Sequence, residues 1–230
     1  MKTKVKKRLF VSRDLGEDSP FLNLKIDFEI IGHSMLDIEP IELTFIPLAH
    51  WYVFYSKNAI QAFELNMKKL NFNFPSGSRF ICMGRSSEKK LYDVLGQKAS
   101  IIVESLDPKY EDKIKEEIRH GHVCFVSAKE STKRFQNLFP QSQKTICTVY
   151  ESVPRKNISI VEADLYVFTS PKNFNYFISK NQINSSSQII AIGTTTAAEI
   201  RKHYPNHNVR IPKYHHEEDV VALIKSEIVR

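Results

Sequence analysis

Hydroxyl side chains recur in this chain where apolar runs give way to helical patterns, and these are its residues best placed to do chemistry. Ser12, Ser56, Ser86, Ser87, Ser127, Ser170, Thr195 and Thr196 all stand at such junctions. The first backbone N–H groups of a helix have no intrahelical partner, so a hydroxyl there either caps the helix or helps those N–H groups hold an anion. Capping alone, worth about 1 kcal/mol, explains any single one of them. Their recurrence favours one carboxylate- or phosphate-binding surface. Other chemistry is poorly provided for: there is no Gly-Lys-Ser/Thr phosphate loop, no Gly-x-Gly-x-x-Gly, no Gly-x-Ser-x-Gly and no Cys-x-x-Cys. His215-His216 is the one adjacent histidine pair, followed by Glu217, Glu218 and Asp219. Sequence neighbours point apart, and acids suit the positive end of a helix, so no metal is expected there.

The elements that carry these hydroxyls read as a duplication. Val53-Phe54-Tyr55-Ser56 is answered by Val167-Phe168-Thr169-Ser170, and Met83-Gly84-Arg85-Ser86-Ser87 by Ile192-Gly193-Thr194-Thr195-Thr196. Leu9-Phe10-Val11-Ser12 is answered by Cys124-Phe125-Val126-Ser127. The offsets are all about 110 to 115 residues, half the chain, which indicates a duplicated domain rather than a solenoid. Duplicated α/β halves turn the ends of their strands towards a shared cleft, where a ligand would sit.

Apolar runs at Lys7–Ser12 and Ile26–Ile31 predict strands. The alternation of Glu39–Pro47 and Thr145–Val153 predicts half-exposed strands, placed here as connectors between the halves. Ser56 precedes a helix over Lys57–Leu70 with Ala59, Ile60, Phe63, Met67 and Leu70 on one face. Ser170 and Pro171 open another, with Phe174, Phe177 and Ile178. Asp107-Pro108 opens a helix through Ile114 and Ile118 to His120-Gly121, and Glu217–Val229 forms the last, with Val220, Val221, Ile224 and Ile228 inward. Strands alternating with helices predict parallel sheets and an α/β fold.

Composition sets the class. The 230 residues are 42% hydrophobic and 26% charged, ordinary for a globular protein, and no apolar run approaches bilayer length. Met1–Phe10 is basic without the apolar core of a secretory signal, so a cytoplasmic protein without membrane association is expected. Cys82, Cys124 and Cys147 lie in strand-like runs and read as buried free thiols. A net charge of +7 favours anionic partners. The basic residues are scattered rather than gathered in a stripe, and no nucleic-acid motif accompanies them, so a small polyanion is favoured over nucleic acid.

Four blocks together resemble the uroporphyrinogen-III synthase family: Val53-Phe54-Tyr55-Ser56-Lys57-Asn58-Ala59, Thr148-Val149-Tyr150-Glu151, Phe168-Thr169-Ser170-Pro171 and Ala191-Ile192-Gly193-Thr194-Thr195-Thr196-Ala197. Val11-Ser12-Arg13 resembles the family's first strand end. The resemblance implies two Rossmann-like or flavodoxin-like parallel-sheet α/β domains joined by a two-stranded antiparallel connector. One domain would combine residues 1–38 with 153–230, the other would span 46–145, and 39–45 and 146–152 would form the connector. It further implies a monomeric lyase of haem and other tetrapyrrole (porphyrin) biosynthesis. This enzyme closes the linear tetrapyrrole hydroxymethylbilane to uroporphyrinogen III, inverting ring D, without metal or cofactor.

By the same resemblance Tyr150 is the catalytic group, a connector tyrosine that hydrogen-bonds the departing hydroxyl. Ser56, Ser87, Ser170, Thr195 and Thr196 match the family's cleft hydroxyls. Arg13, Lys57, Asn58, Ser86, Ser127, Lys172 and Thr194 join them as substrate-binding residues. The chain departs from the family's pattern in three places: Thr194 stands where proline is usual, Ala128 where glycine is common, and the first helix, around Ser19–Leu24, is short. A non-catalytic paralogue that holds a tetrapyrrole or another polyanion is the alternative on the same scaffold.

Overall fold

Trp51-Tyr52-Val53-Phe54 and Leu165-Tyr166-Val167-Phe168 are buried at every position, as strands must be when helices cover both faces of a parallel sheet. The computed structural model describes residues 6–104, 109–119, 121–131, 135–156, 158 and 161–228. Its contacts divide the chain into two compact units, one formed by Met1–Asp37 with Pro154–Arg230 and the other by Ile38–Val153.

In the continuous unit, β4 (Trp51–Phe54), α1 (Lys57–Leu70), β5 (Arg79–Met83), α2 (Arg85–Leu95), β6 (Ile101–Val103), α3 (Lys109–Ile118), β7 (Val123–Ala128) and β8 (Lys144–Pro154) follow one another. The sheet order is β6-β5-β4-β7-β8, with β3 (Leu36–Pro40) beyond β8. Strands β4 to β8 pair in parallel. The direction of winding reverses between β4 and β7, the switch point at which open α/β sheets bind ligands outside the carboxyl ends of their strands.

The discontinuous unit reaches the same arrangement with its chain order rotated. Its sheet, β11-β10-β9-β1-β2, takes β1 (Lys7–Val11) and β2 (Phe28–Gly32) from the N-terminal part. From the C-terminal part come β9 (Leu165–Phe168), β10 (Gln188–Ala191) and β11 (Val209–Arg210). All of its ladders are parallel. Helices α4 (Pro171–Ile178) and α5 (Thr194–His203) cover one face and α6 (Glu217–Glu227) the other. Val220, Val221 and Ile224 of α6 pack on Leu9, Val11, Leu165, Val167 and Ile190, as Ile114 and Ile118 of α3 pack on Trp51, Val53, Val123 and Phe125. The units are thus circularly permuted copies, with the sheet switching between β9 and β1 as it does between β4 and β7.

The ladders correct one of the three repeats. Val11 pairs with Val167, and Phe125 with Val53, so Val11 corresponds to Phe125 and Ser12 to Val126. The sequence match of Ser12 with Ser127 is one residue out of register, which in a strand places the side chain on the opposite face. The other two repeats align with the ladders as read.

The connector also differs from expectation. Its first strand is Leu36–Pro40, not Glu39–Pro47. The Ile41 N–H still donates to Val149 O at 2.8 Å, but there the ladder ends. The buried Asn66 of α1 accepts from the Leu43 N–H at 2.7 Å and donates to Ile41 O at 3.0 Å, drawing this backbone onto the helix. The second strand begins inside the sheet: Ile146, Cys147 and Thr148 lie in the parallel stretch beside β7, and only the later part of β8 runs antiparallel beside β3.

Helices form where the apolar spacing places them, α1 over Lys57–Leu70 and α4 from Pro171. The short first helix is a 3-10 turn, Pro20–Leu24. The expected helix start at Asp107-Pro108, His120 and the terminal Val229 lie outside the described residues. All three cysteines are free and buried, and burial pushes the Cys82 thiol up to about 12. No helix among the described residues is long and apolar enough to cross a membrane.

Arg155, just past β8, ties the discontinuous unit together. Its guanidinium donates to both Asp14 carboxylate oxygens at 2.9 and 2.8 Å and to Asp37 Oδ1 at 2.8 Å. This bidentate pairing holds the Asp14 carboxyl below its ordinary 3.8. A depressed carboxyl stabilises the fold above the unfolded pKa, and the contribution is lost as pH falls through the folded value. Asp14 is largely exposed, which keeps the effect near 1 kcal/mol. Urea unfolding should therefore place Arg155→Met about 1 kcal/mol below the parent at pH 7, with the gap closing as acid protonates Asp14 below about pH 4. A gap unchanged at pH 3 would assign the effect to packing instead.

Candidate active site

Each unit presents its hydroxyls at the carboxyl edge of its sheet, beside the switch point. In the continuous unit Ser56 follows β4 and caps α1, its Oγ accepting from the Ala59 N–H at 3.1 Å. That bond occupies a lone pair and leaves the hydroxyl proton free to engage elsewhere. Ser56 Oγ lies 3.0 Å from Tyr150 Oη. The two come from β4 and β8, which are separated in the sheet by β7.

A bulge makes this pairing geometrically accessible. Up to Ser127, β7 and β8 run in step, Ser127 opposite Thr148; the register then shifts and Ala128 faces Tyr150. In unbroken alternation, Cys147 and Val149 would face α1 while Thr148 and Tyr150 faced the other way. The extra residue turns Tyr150 back, so that Val149 and Tyr150 both join the cluster under α1. Tyr150 is 8% exposed, a buried phenol with one hydroxyl partner rather than a half-exposed connector side chain.

The remaining residues of this edge are dispersed. Lys57 and Asn58 are exposed in the first turn of α1. Ser86 and Ser87 do not cap α2: the N-cap is Gly84, and both serines lie inside the first turn, Ser86 exposed and Ser87 buried. Ser127 lies inside β7, which runs on to Ala128. Its Oγ is buried without a hydrogen-bond partner, on the sheet face opposite Cys124 and Val126.

The permuted unit repeats the pattern with different chemistry. Ser170 caps α4 by accepting from the Asn173 N–H at 3.1 Å, and Lys172 stands half-buried in the first turn. Asn173, absent from the sequence-based candidates, accepts from the Met35 N–H at 2.8 Å and so ties the cap to the start of the connector. At the switch point the Thr169 N–H donates to Ser12 Oγ at 2.9 Å and the Thr169 hydroxyl donates to Ser12 O at 3.1 Å. Ser12 is thereby a fully buried structural tie. Thr194, Thr195 and Thr196 form the first turn of α5 behind Gly193, which supplies no cap, so the free N–H groups of that turn accompany three hydroxyls. Arg13 is ion-paired with Glu217 at the start of α6. His216 is the N-cap residue of that helix, and Glu217, Glu218 and Asp219 occupy its first turn. Among the described residues no group of three or more metal-binding side chains gathers.

Among the described residues, Ser56 and Tyr150 are the candidates that hydrogen-bond to each other. Two parallel-sheet α/β units linked by connecting strands define the class of fold. A family model described as uroporphyrinogen-III synthase HemD matches residues 25–222, and the chain belongs to that family. No curated protein matches it. Among solved structures, uroporphyrinogen-III synthetase from Helicobacter pylori superposes with a TM-score of 0.68 at 16% identity, covering 97% of this chain and 100% of that one. A mutant uroporphyrinogen III synthase from the extremely thermophilic bacterium Thermus thermophilus gives 0.58 at 9% identity, with the same coverage. At these identities the likeness is one of fold.

Proposed function

We propose that this protein is a uroporphyrinogen-III synthase, acting on hydroxymethylbilane. The observation that carries the reading is the bulge-directed hydrogen bond between Tyr150 and Ser56 at the switch point of a chain that belongs to this family. The substrate's electron-rich pyrrole expels the terminal hydroxyl with little assistance, so a neutral phenol suffices as hydrogen-bond donor. Ser56, which also takes the Ala59 N–H, orients that phenol. The hydroxyl leaves with a proton as water, giving an azafulvene cation. Attack by the substituted carbon of ring D gives a spiro intermediate, whose bond from that carbon to its original methylene breaks. The free α-carbon of ring D then closes on that methylene and loses its proton, leaving ring D inverted.

The substrate also closes unaided to the wrong isomer, so catalysis here is largely positioning. Ser86, Ser87, Ser170, Thr194, Thr195 and Thr196, with the free N–H groups of their helix starts, receive the substrate's carboxylates. Arg13, Lys57, Asn58 and Lys172 add polar and cationic groups. The experiment is a coupled assay in which hydroxymethylbilane is generated in place and the oxidised products are separated by isomer. Predominantly type III product is expected. Type I alone, at the rate seen without protein, would leave the non-catalytic binding module as the reading.

A further inference from the structure

We propose that Lys129 and Glu151 are positioning residues, their ion pair latching β8 against β7 in the register that aims the Tyr150 phenol at Ser56. The role rests on reading Tyr150 as the group that assists departure of the hydroxyl. A strand slipped by one residue turns each side chain to the other face, so the direction of Tyr150 depends on which register is held. Ser127 stands opposite Thr148 and Ala128 opposite Tyr150, which leaves Val149 as the extra residue of the bulge. The Val149 carbonyl is taken from the other side, by the Ile41 N–H at 2.8 Å.

Just past the bulge, Lys129 grips β8 twice. Its N–H donates to Tyr150 O at 2.9 Å, and its ammonium donates to Glu151 Oε2 at 2.7 Å. The backbone bond alone does not specify register, because each residue of a strand offers the same carbonyl. The side-chain pair does, since a slip of one residue would carry the carboxylate to the other face and leave the ammonium without it. β7 ends at Ala128, where the chain turns, the Ser131 N–H donating to Ala128 O at 3.2 Å. The grip therefore comes at the very end of the ladder, where the register is set by few other bonds.

The hydrogen bond to Glu151, with the charge of that carboxylate, holds the Lys129 ammonium above its ordinary 10.5, so the lysine is charged at neutral pH. Both side chains are partly open to solvent, at 62% and 31%, which keeps the contribution of the pair to overall stability small. Its effect is on geometry. A group that acts by position loses much of its effect when displaced by about 1 Å.

The test compares the full chain with Lys129→Ala, Glu151→Ala, the double variant and Lys129→Arg. The kcat for type III formation should fall about three- to fivefold in each alanine variant, the most that a partly exposed ion pair allows, with KM changed less than about twofold. The double variant should be no slower than either single one, as for two residues acting as a pair, and Lys129→Arg should keep kcat near that of the parent. The Tyr150 ring resonances, identified by their loss in Tyr150→Phe, should move in both alanine variants and stay in place in Lys129→Arg. A KM raised in Lys129→Ala and lowered in Glu151→Ala would make Lys129 a carboxylate-binding residue and overturn the latch. Unchanged kcat, additive losses, or Tyr150 resonances that do not respond would overturn it equally. Resonances that respond as expected in a protein forming no type III product would remove the synthase reading and keep the latch.

Discussion

Tyr150→Phe should slow formation of the type III product by up to about a hundredfold, the lower end of what a positioned acid contributes. The ring stays in place, because it packs in the cluster beneath α1, and what disappears is the hydroxyl, with its hydrogen bond to Ser56 Oγ and the one proposed to the departing group. The effect is bounded because the pyrrole nitrogen itself drives departure of the hydroxyl. Ser56→Ala separates two contributions. It removes the partner that orients the phenol and also the cap on α1, so it should lower stability by about 1 kcal/mol as well as the rate. Rate and isomer ratio are best read together, after circular dichroism confirms folding. An unchanged rate and ratio in Tyr150→Phe would remove the phenol from the mechanism. Complete loss of turnover with intact substrate binding would show that proton donation, rather than positioning, dominates.

Much of the scaffold is visible in the sequence, and the reason lies in burial. Fully apolar runs such as Trp51–Phe54 and Leu165–Phe168 have one low-energy place, the middle of a helix-covered parallel sheet, and serines at the head of an amphipathic stretch fix where α1 and α4 start. What the sequence leaves hidden depends on a single residue of register or on one distant side chain. The match of Ser12 with Ser127 fails because Phe-Val-Ser reads alike on either face of a strand, and only the ladders distinguish them. The length of β3 is decided by Asn66, an ordinary polar residue on α1 until it meets the backbone of Ile41 and Leu43. The bulge at Ser127/Ala128, which aims Tyr150, leaves no mark in the alternation of Thr145–Val153. In sequence His215 stands out only as one of two adjacent histidines; its proximity to Gly193 is a tertiary fact.

The corresponding glycines of the two units provide the second large effect. Gly84, the N-cap of α2, has φ +81° and ψ 155°, a conformation nearly confined to glycine, and nothing lies within 4 Å of where a Cβ would stand. Its backbone is committed: the N–H donates to Val103 O at 2.9 Å, while the carbonyl accepts from Ser87 and Glu88 at 3.1 and 3.2 Å. Gly84→Ala thus meets no clash and cannot be relieved by moving a side chain. It should cost about 2 kcal/mol in backbone strain. In a chain of this length that lowers Tm by about 4–8 °C, and relaxation of the turn would misplace Ser86 and Ser87 and weaken binding. Gly193 corresponds to Gly84 in the ladders yet differs in cause, its φ being unstrained and its close neighbour the movable imidazole of His215. Gly193→Ala should accordingly change Tm by less than about 2 °C, a cost well under about 1 kcal/mol, with the imidazole shifting by a few tenths of an ångström. Calorimetry on the two variants separates strain from contact, and equal losses of Tm would mean that backbone conformation does not distinguish these positions.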